Sequence, residues 1–65
     1  MPDSPPDLER LYTVAEFGEA TNTSERFARR LVATKRIRYI KVGKFVRIPH
    51  SAITEYLDAN RVQTQ

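Results

Sequence analysis

One stretch of ten residues, from Ser24 to Ala33, constrains the fold of this chain more than any other. Ser24 is suited to cap a helix, because its hydroxyl can accept a hydrogen bond from a free N–H group at the helix start. Apolar residues then recur at helical spacing, which predicts an amphipathic helix from Glu25 to about Thr34. The apolar stripe of this helix comprises Phe27, Ala28, Leu31 and Val32. The other side comprises Arg26, Arg29, Arg30 and Ala33.

The charge of the chain is unevenly distributed, which indicates what the arginine face would bind. Residues 25–47 contain nine basic side chains and one acidic side chain, whereas residues 1–20 contain five acidic side chains and one basic side chain. A basic block inside a folded, periodic segment is typical of a nucleic-acid-binding domain. The pattern therefore favours a helix in the major groove of double-stranded DNA, where arginine contacts phosphates and guanine edges. The alternative interpretation is a solvated helix face.

The composition argues against several other classes of protein. A chain of 65 residues without cysteine forms one small domain, with no disulfide and no cysteine zinc site. We expect no metal and no cofactor, because the single histidine, His50, has no carboxylates clustered near it, and we interpret it as a helix-terminus residue. We expect no enzymatic activity, since no nucleophile–base pair, paired carboxylates or glycine-rich phosphate loop is found. Without a membrane-length apolar run or a signal peptide, the predicted location is the cytoplasm.

The residues before the arginine helix predict a second, shorter helix. The segment Thr13-Val14-Ala15-Glu16 has the pattern of a capping box, with Thr13 as the N-cap. This first helix would run from Val14 to about Ala20, and its inward residues would be Val14, Phe17 and Ala20. Two short helices joined by about three residues form a helix-turn-helix.

Four residues have conformational roles in this helix-turn-helix. Gly18 lies inside the first helix, where glycine is unfavourable by about 1 kcal/mol relative to alanine. A second helix that crosses close to this backbone would explain the glycine. Asn22 is the turn residue best able to adopt a left-handed conformation. Lys35 and Arg36 would close the second helix near the negative end of its dipole.

From Ile37 to Ile48 the apolar period changes from helical to alternating, which predicts a β-hairpin. We favour a three-residue loop, Gly43-Lys44-Phe45, because it separates apolar from basic residues. One face would then carry Ile40, Val42, Val46 and Ile48, and the other would carry Lys41 and Arg47. A two-residue turn would instead place Phe45 with Val42 and Ile40, and leave Val46 and Ile48 on the opposite face.

A third helix completes the predicted domain, which is of the α+β class. Pro49 ends the hairpin, and the helix would run from about Ser51 to Ala59, with Ile53, Tyr56 and Leu57 inward. Residues 1–10 are interpreted as a flexible acidic, proline-rich arm, 11–60 as the domain and 61–65 as a polar tail, with Leu11 and Tyr12 as a short extended lead-in. The predicted core comprises Val14, Phe17, Phe27, Leu31, Ile40, Val42, Val46, Ile48, Ile53, Tyr56 and Leu57.

Helix, turn, helix, two-stranded wing and helix make a small winged helix-turn-helix, and specific residues match a known family. Thr13-Val14-x-Glu16, Gly18, Ser24, Lys41-Val42-Gly43, Arg47-Ile48-Pro49 and Leu57 resemble the phage excisionases and related MerR-like DNA-binding proteins. The resemblance covers roughly residues 11–58. It departs from the family pattern at Asn22, where glycine is usual, at Thr23, where an apolar residue is usual, and at Phe45, where a basic residue is usual.

The resemblance implies that the second helix binds the major groove and that the wing binds the adjacent minor groove or the backbone. The matching positions in the recognition helix are Ser24, Glu25, Arg26, Arg29 and Arg30. The matching positions in the wing are Lys41, Gly43, Lys44 and Arg47, to which we add Phe45. An aromatic ring at the hairpin tip suits stacking on sugars or insertion at a base step, and the alternatives are packing on a neighbouring copy or on Tyr39. Glu25 suits either the helix dipole or a cytosine amino group.

Excisionases, also called recombination directionality factors, bend attachment-site DNA and steer a phage integrase toward excision in the bacterial host cell. The resemblance therefore implies an integrase partner, and the small size of the module favours cooperative self-association on DNA. Two alternatives stay open. One is a small MerR-like transcriptional regulator, although such proteins usually append a dimerisation helix, which this chain does not show. The other is a protein-interaction module whose basic face binds an acidic partner.

Overall fold

The structure is a computed structural model that describes residues 9–62. It contains three helices and a three-stranded antiparallel sheet, which confirms the predicted α+β winged helix-turn-helix. The elements in chain order are β1 Leu11–Tyr12, α1 Val14–Ala20, α2 Glu25–Ala33, β2 Ile40–Val42, β3 Phe45–Pro49 and α3 His50–Ala59. Most of the predicted arm, residues 1–8, and the end of the predicted tail, residues 63–65, lie outside the described residues.

The first helix begins at the predicted capping box. The Thr13 hydroxyl accepts a hydrogen bond from the Glu16 amide at 3.0 Å, and the Glu16 carboxylate accepts one from the Thr13 amide at 3.0 Å. The helix ends where Asn22 adopts a φ of 60°, as predicted. The amides of Asn22 and Thr23 then donate to the carbonyls of Glu19 and Gly18, which satisfies the last turn of the helix.

Gly18 is the contact point between the two helices of the helix-turn-helix. It is buried, and a Cβ atom built on it would lie 2.7 Å from the carbonyl carbon of Ser24 and 2.9 Å from the amide nitrogen of Glu25. Both neighbours are backbone atoms, so no side-chain rotation could relieve the overlap. The prediction that a crossing helix explains this glycine is confirmed.

The sheet contains one strand more than the predicted wing. The lead-in Leu11–Tyr12 pairs antiparallel with β3, with Leu11 opposite Pro49 and Tyr12 opposite Ile48. Strand β3 is therefore central, and β1 and β2 are its edges. This pairing connects the start of the domain to the base of the wing.

The prediction of a three-residue loop in the hairpin is wrong. Val42 pairs with Phe45, and Lys41 pairs with Val46, so Gly43 and Lys44 form a two-residue turn. Gly43 has a φ of 64°, the positive value that the favoured two-residue hairpin turns require, because their twist matches that of the strands. One face of the hairpin thus carries Ile40, Val42, Phe45 and Arg47, and the other carries Lys41, Val46 and Ile48.

The core differs in composition from the predicted one and is made mainly by the helices and β3. Its buried members are Phe17, Ala28, Leu31, Ile37, Ile48, Ala52 and Ile53. Partly buried residues packed against it include Tyr12, Val14, Val32, Tyr39 and Tyr56. The core assignment is wrong for the side chains that the structure leaves exposed, which are Phe27, Ile40, Val42 and Leu57. Ala20, predicted to face inward, is also exposed.

The exposure of these side chains follows from where their helices and strands lie in the fold. Strand β2 lies at the sheet edge. Ile40 and Val42 lie on the face of the hairpin that points away from the core, whereas Ile48 on the other face is buried in it. Helix α3 buries Ile53, as predicted, together with Ala52, whereas Leu57 is exposed. Ile37, which precedes the wing, is a buried member of the core, although it was not among the predicted core residues.

Helix α3 begins one residue earlier than predicted, at His50, and its N-cap residue, Pro49, makes no side-chain capping bond. The cap is instead supplied by Glu9, whose carboxylate accepts hydrogen bonds from the Ser51 amide at 2.7 Å and the Ser51 hydroxyl at 3.0 Å. These bonds, led by the one from the Ser51 amide, hold the pKa of Glu9 below its ordinary value of 4.5. The His50 ring lies against Tyr12, with the Tyr12 hydroxyl 3.2 Å from His50 Nδ1.

No helix within residues 9–62 combines the length and the apolar character that crossing a membrane would require.

Candidate nucleic-acid interface

Helix α2 is the predicted recognition helix of the candidate interface. The Ser24 hydroxyl accepts a hydrogen bond from the Phe27 amide at 3.1 Å, so Ser24 is the N-cap, as predicted. Ala28 and Leu31 are buried on the inner side of the helix. The outer side presents three exposed arginines, which are Arg26, Arg29 and Arg30.

Helix α2 ends in a left-handed turn at Lys35, which the sequence does not predict because the residue is not glycine or asparagine. Lys35 adopts a φ of 58°, and its amide donates to the carbonyl of Val32 at 3.1 Å. The Arg36 amide donates to the carbonyl of Leu31 at 2.9 Å, so the helix ends in the same hydrogen-bond pattern as α1. This turn directs the chain away from the helix axis and toward Ile37 in the core.

The three arginines of α2 differ in their partners. Arg29 forms an ion pair with Glu25 one turn earlier, and its Nε atom donates to Glu25 Oε2 at 3.0 Å. An exposed pair of this spacing contributes only about 0.3–0.5 kcal/mol, so DNA phosphates could displace Glu25 at small cost. Among residues 9–62, Arg26 and Arg30 form no ion pair. They line a shallow groove of about 230 Å³ together with Ser24 and Phe27.

The wing presents an aromatic ring between two cations. The guanidinium carbon of Arg47 lies 5.1 Å from the centroid of the Phe45 ring, and the Lys44 ammonium lies 5.8 Å from it. Both contacts are within the range of cation–π interactions. Arg47 also donates to the Val46 carbonyl at 2.8 Å, which fixes its guanidinium beside the strand. Lys41 is exposed on the opposite face of the hairpin, and Gly43 forms the turn.

A groove of about 320 Å³ lies between α2 and the wing. One wall is formed by Arg29, Val32 and Ala33 of α2, and the other is formed by the hairpin. The hairpin residues that line it are Lys44, Phe45, Val46 and Arg47. Cations therefore stand on both walls, with apolar side chains between them. The sequence pattern places Val32 in the apolar stripe of α2, and the structure shows that Val32 also lines this groove.

Not every basic residue of the 25–47 block belongs to this surface. Arg38 donates to Glu55 at 3.1 and 3.3 Å and to the Ser51 hydroxyl at 3.0 Å, so it braces α3. Arg36 lies with Arg38 beside α3, in a second groove. The sequence predicted the basic character of the block, whereas only the fold separates the residues near α2 and the wing from those near α3.

Comparison with known proteins identifies a family. The family model described as Helix-turn-helix domain matches residues 11–61, which is most of the chain and includes α2 and the wing. Neither the search of curated proteins nor the search of solved structures found a significant match. Because this match covers most of the chain, the protein belongs to the Helix-turn-helix domain family. Membership of this family supports sequence-specific binding of double-stranded DNA.

Proposed function

We propose that this protein is an architectural DNA-binding factor, namely an excisionase that bends attachment-site DNA and directs a phage integrase toward excision in a bacterial host. The observation that carries the proposal is the basic groove between α2 and the wing, which is lined by Arg29 of α2 and by Lys44 and Arg47 of the hairpin. The motifs Lys41-Val42-Gly43 and Arg47-Ile48-Pro49, which resemble those of excisionases, form the hairpin turn and the end of β3 beside this groove.

The composition of the groove suits one strand of a DNA duplex. A DNA strand alternates anionic phosphates with weakly polar sugars, and the groove combines three cations with the apolar side chains of Val32 and Phe45. With one strand in the groove, α2 would enter the major groove on one side. The wing would then lie on the adjacent minor groove or backbone. Phosphate contacts from both elements would fix the register of α2 on the bases.

The residues proposed to contact bases or phosphates from α2 are Ser24, Glu25, Arg26, Arg29 and Arg30. Arg26 and Arg30 lie on the outer side of the helix and pair with no carboxylate in the described part of the chain, which leaves their guanidinium groups available for guanine or phosphate. Glu25 holds Arg29 in the free protein and would either keep that pairing or release Arg29 to a phosphate. From the wing, the proposed contacts are Lys41, Gly43, Lys44, Phe45 and Arg47.

Cooperative binding would give this small module selectivity. A single module of this size buries about 600–1,000 Å² on DNA, which limits the affinity for one isolated site. The exposed carboxylate of Glu19 on α1 is of opposite charge to the basic wing, and contact between α1 of one copy and the wing of the next would link neighbouring sites. Glu19→Lys should therefore lower cooperativity more than it lowers affinity for a single site, as footprint titrations would measure.

Two experiments test the proposal in sequence. The first measures the bend of selected duplexes by circular permutation, where we expect binding with a clear change in DNA curvature. The second measures excision by a phage integrase on its attachment sites with and without this protein, where we expect stimulation that the Arg29→Ala, Arg30→Ala double variant loses. Binding to straight DNA without any effect on excision would contradict the excisionase proposal and would support a small MerR-like transcriptional regulator.

A further inference from the structure

The wing carries an apolar surface that the fold does not cover. Ile40, Val42 and Phe45 are 41, 48 and 52 % exposed, and the two-residue turn places all three on one face of the hairpin. We call this surface the wing patch. Because the opposite face already supplies Ile48 to the core, the apolar character of the wing patch contributes little to folding.

The charges around the wing patch indicate the chemistry of what covers it. Lys44 and Arg47 lie within 6 Å of the Phe45 ring on the same hairpin. The groove toward Arg29 of α2 begins at this ring. An occupant must therefore combine an apolar surface with negative charge on either side of it. A DNA minor groove has these properties, because its sugars and base edges lie between two rows of phosphates.

Symmetric pairing with a second copy is disfavoured by the same charges. In a two-fold interface the same patch is used on both subunits. Lys44 and Arg47 of one copy would then face Lys44 and Arg47 of the other, with no acidic residue on the wing to separate them. Like charges placed together in this way oppose association.

We propose that Phe45 is a wedge that enters the minor groove and partly unstacks one base step, while Ile40 and Val42 cover the neighbouring sugars. The inference deepens the proposed function and rests on it. The minor groove is about 6 Å wide, so a phenyl ring can enter it edge-on while Lys44 and Arg47 neutralise phosphates at its margins. Apolar side chains that enter in this way kink the duplex toward the major groove. Pyrimidine–purine steps unstack most easily, so the wing selects TA or CA/TG at a fixed distance from the bases under α2.

The test uses the full chain and a duplex selected with it from a randomised library. Single adenines of this duplex are replaced in turn by 2-aminopurine, whose fluorescence rises when it is unstacked. We expect one pyrimidine–purine step, beside the bases contacted by α2, to become brighter when the protein binds. Phe45→Ala should abolish this increase, reduce the DNA bend and weaken binding by roughly tenfold. Its salt dependence should be unchanged, because every cation remains.

Three variants separate the wedge from simpler explanations. Phe45→Leu keeps an apolar side chain and should retain the fold and part of the affinity, but lose most of the fluorescence increase. Lys44→Ala should reduce the slope of log affinity against log salt concentration by about one, and should keep the fluorescence increase. Leu57→Ala removes a comparably exposed apolar side chain, 47 % exposed on α3, and should change neither the salt dependence of binding nor the fluorescence increase. Circular dichroism of each variant confirms that it is folded.

The inference is overturned if no step becomes brighter in the bound complex, or if the increase persists in Phe45→Ala. It is also overturned if Phe45→Ala instead dissociates a dimer that the protein forms without DNA, since the wing patch would then be a contact between copies. Absence of binding to any duplex would overturn the proposed function and this inference together. Binding that bends DNA without dependence on Phe45 would overturn the inference alone.

Discussion

The helix-turn-helix and the wing of this domain differ in how much of their apolar surface is buried. Helix α2 places Ala28 and Leu31 in the core and exposes its arginines. The wing contributes β3 to the core but leaves the apolar side chains of Ile40 and Val42 in solvent. The comparison separates two tasks: α1, α2, β3 and α3 hold the domain together, while the outer face of the hairpin is available for binding.

The largest expected contrast is between two isoleucines of the hairpin. Ile48 is fully buried, and Ile48→Ala should lower the free energy of unfolding by about 3 kcal/mol, because it removes buried methyl groups and leaves a cavity. Ile40→Ala should cost about 0.5 kcal/mol, as is usual for an exposed position. Urea unfolding monitored by circular dichroism measures both. Equal losses would show that the wing patch is packed in the protein and would contradict the division of tasks.

The two glycines give the next contrast. Gly18→Ala brings a Cβ to 2.7 Å from the carbonyl carbon of Ser24, the N-cap of α2, and we expect the free energy of unfolding to fall by about 2 kcal/mol after the better helix propensity of alanine is included. Gly43→Ala meets no atom within 4 Å but retains a φ of 64°, which should cost about 1 kcal/mol. Thermal unfolding under matched conditions compares the two. A larger loss at Gly43 would mean that the hairpin turn, and not the helix crossing, limits the stability of the domain.

The same two regions explain how far the sequence predicts this structure. Capping signals act through hydrogen bonds within a few residues, so Thr13, Asn22 and Ser24 have the predicted roles. The alternation in the hairpin defines two faces but not which face is buried, because that depends on elements distant in the chain. A preference for a uniformly apolar face led to the wrong loop length, although Gly43-Lys44 was the signal for the shorter turn.

Other features were missed because they depend on long-range contacts. The pairing of Leu11–Tyr12 with β3 joins segments that are almost forty residues apart, and two residues are too few to show a strand period. The assignment of Arg38 to α3 and of Arg29 to the groove likewise follows from the packing of the elements. The residue types of the basic block therefore predicted a basic surface. Their spacing did not predict which basic side chains line the groove and which contact α3.

A smaller effect is expected from the long-range cap of α3. The pKa of Glu9 is below 4.5 in the folded protein, so Glu9 stabilises the fold above that pH, and the contribution is lost as the pH falls through the lowered value. Glu9→Gln should therefore be slightly less stable than the parent protein at pH 7, and the difference should shrink at pH 3. Thermal unfolding of both proteins at the two pH values measures this. A difference that grows in acid would contradict the assignment of Glu9 as an ionised cap.

The comparison of duplex DNA binding by two arginine variants tests the central claim most directly. Arg30→Ala and Arg61→Ala each remove one exposed arginine, the first from the outer side of α2 and the second beyond α3, where Arg61 pairs with Asp58 at 2.8 Å. If α2 is the recognition helix, fluorescence anisotropy on a selected duplex should show a loss of about 1–3 kcal/mol for Arg30→Ala and almost none for Arg61→Ala. Equal and small losses in both folded variants would contradict the account, because binding would then depend on net charge and not on α2.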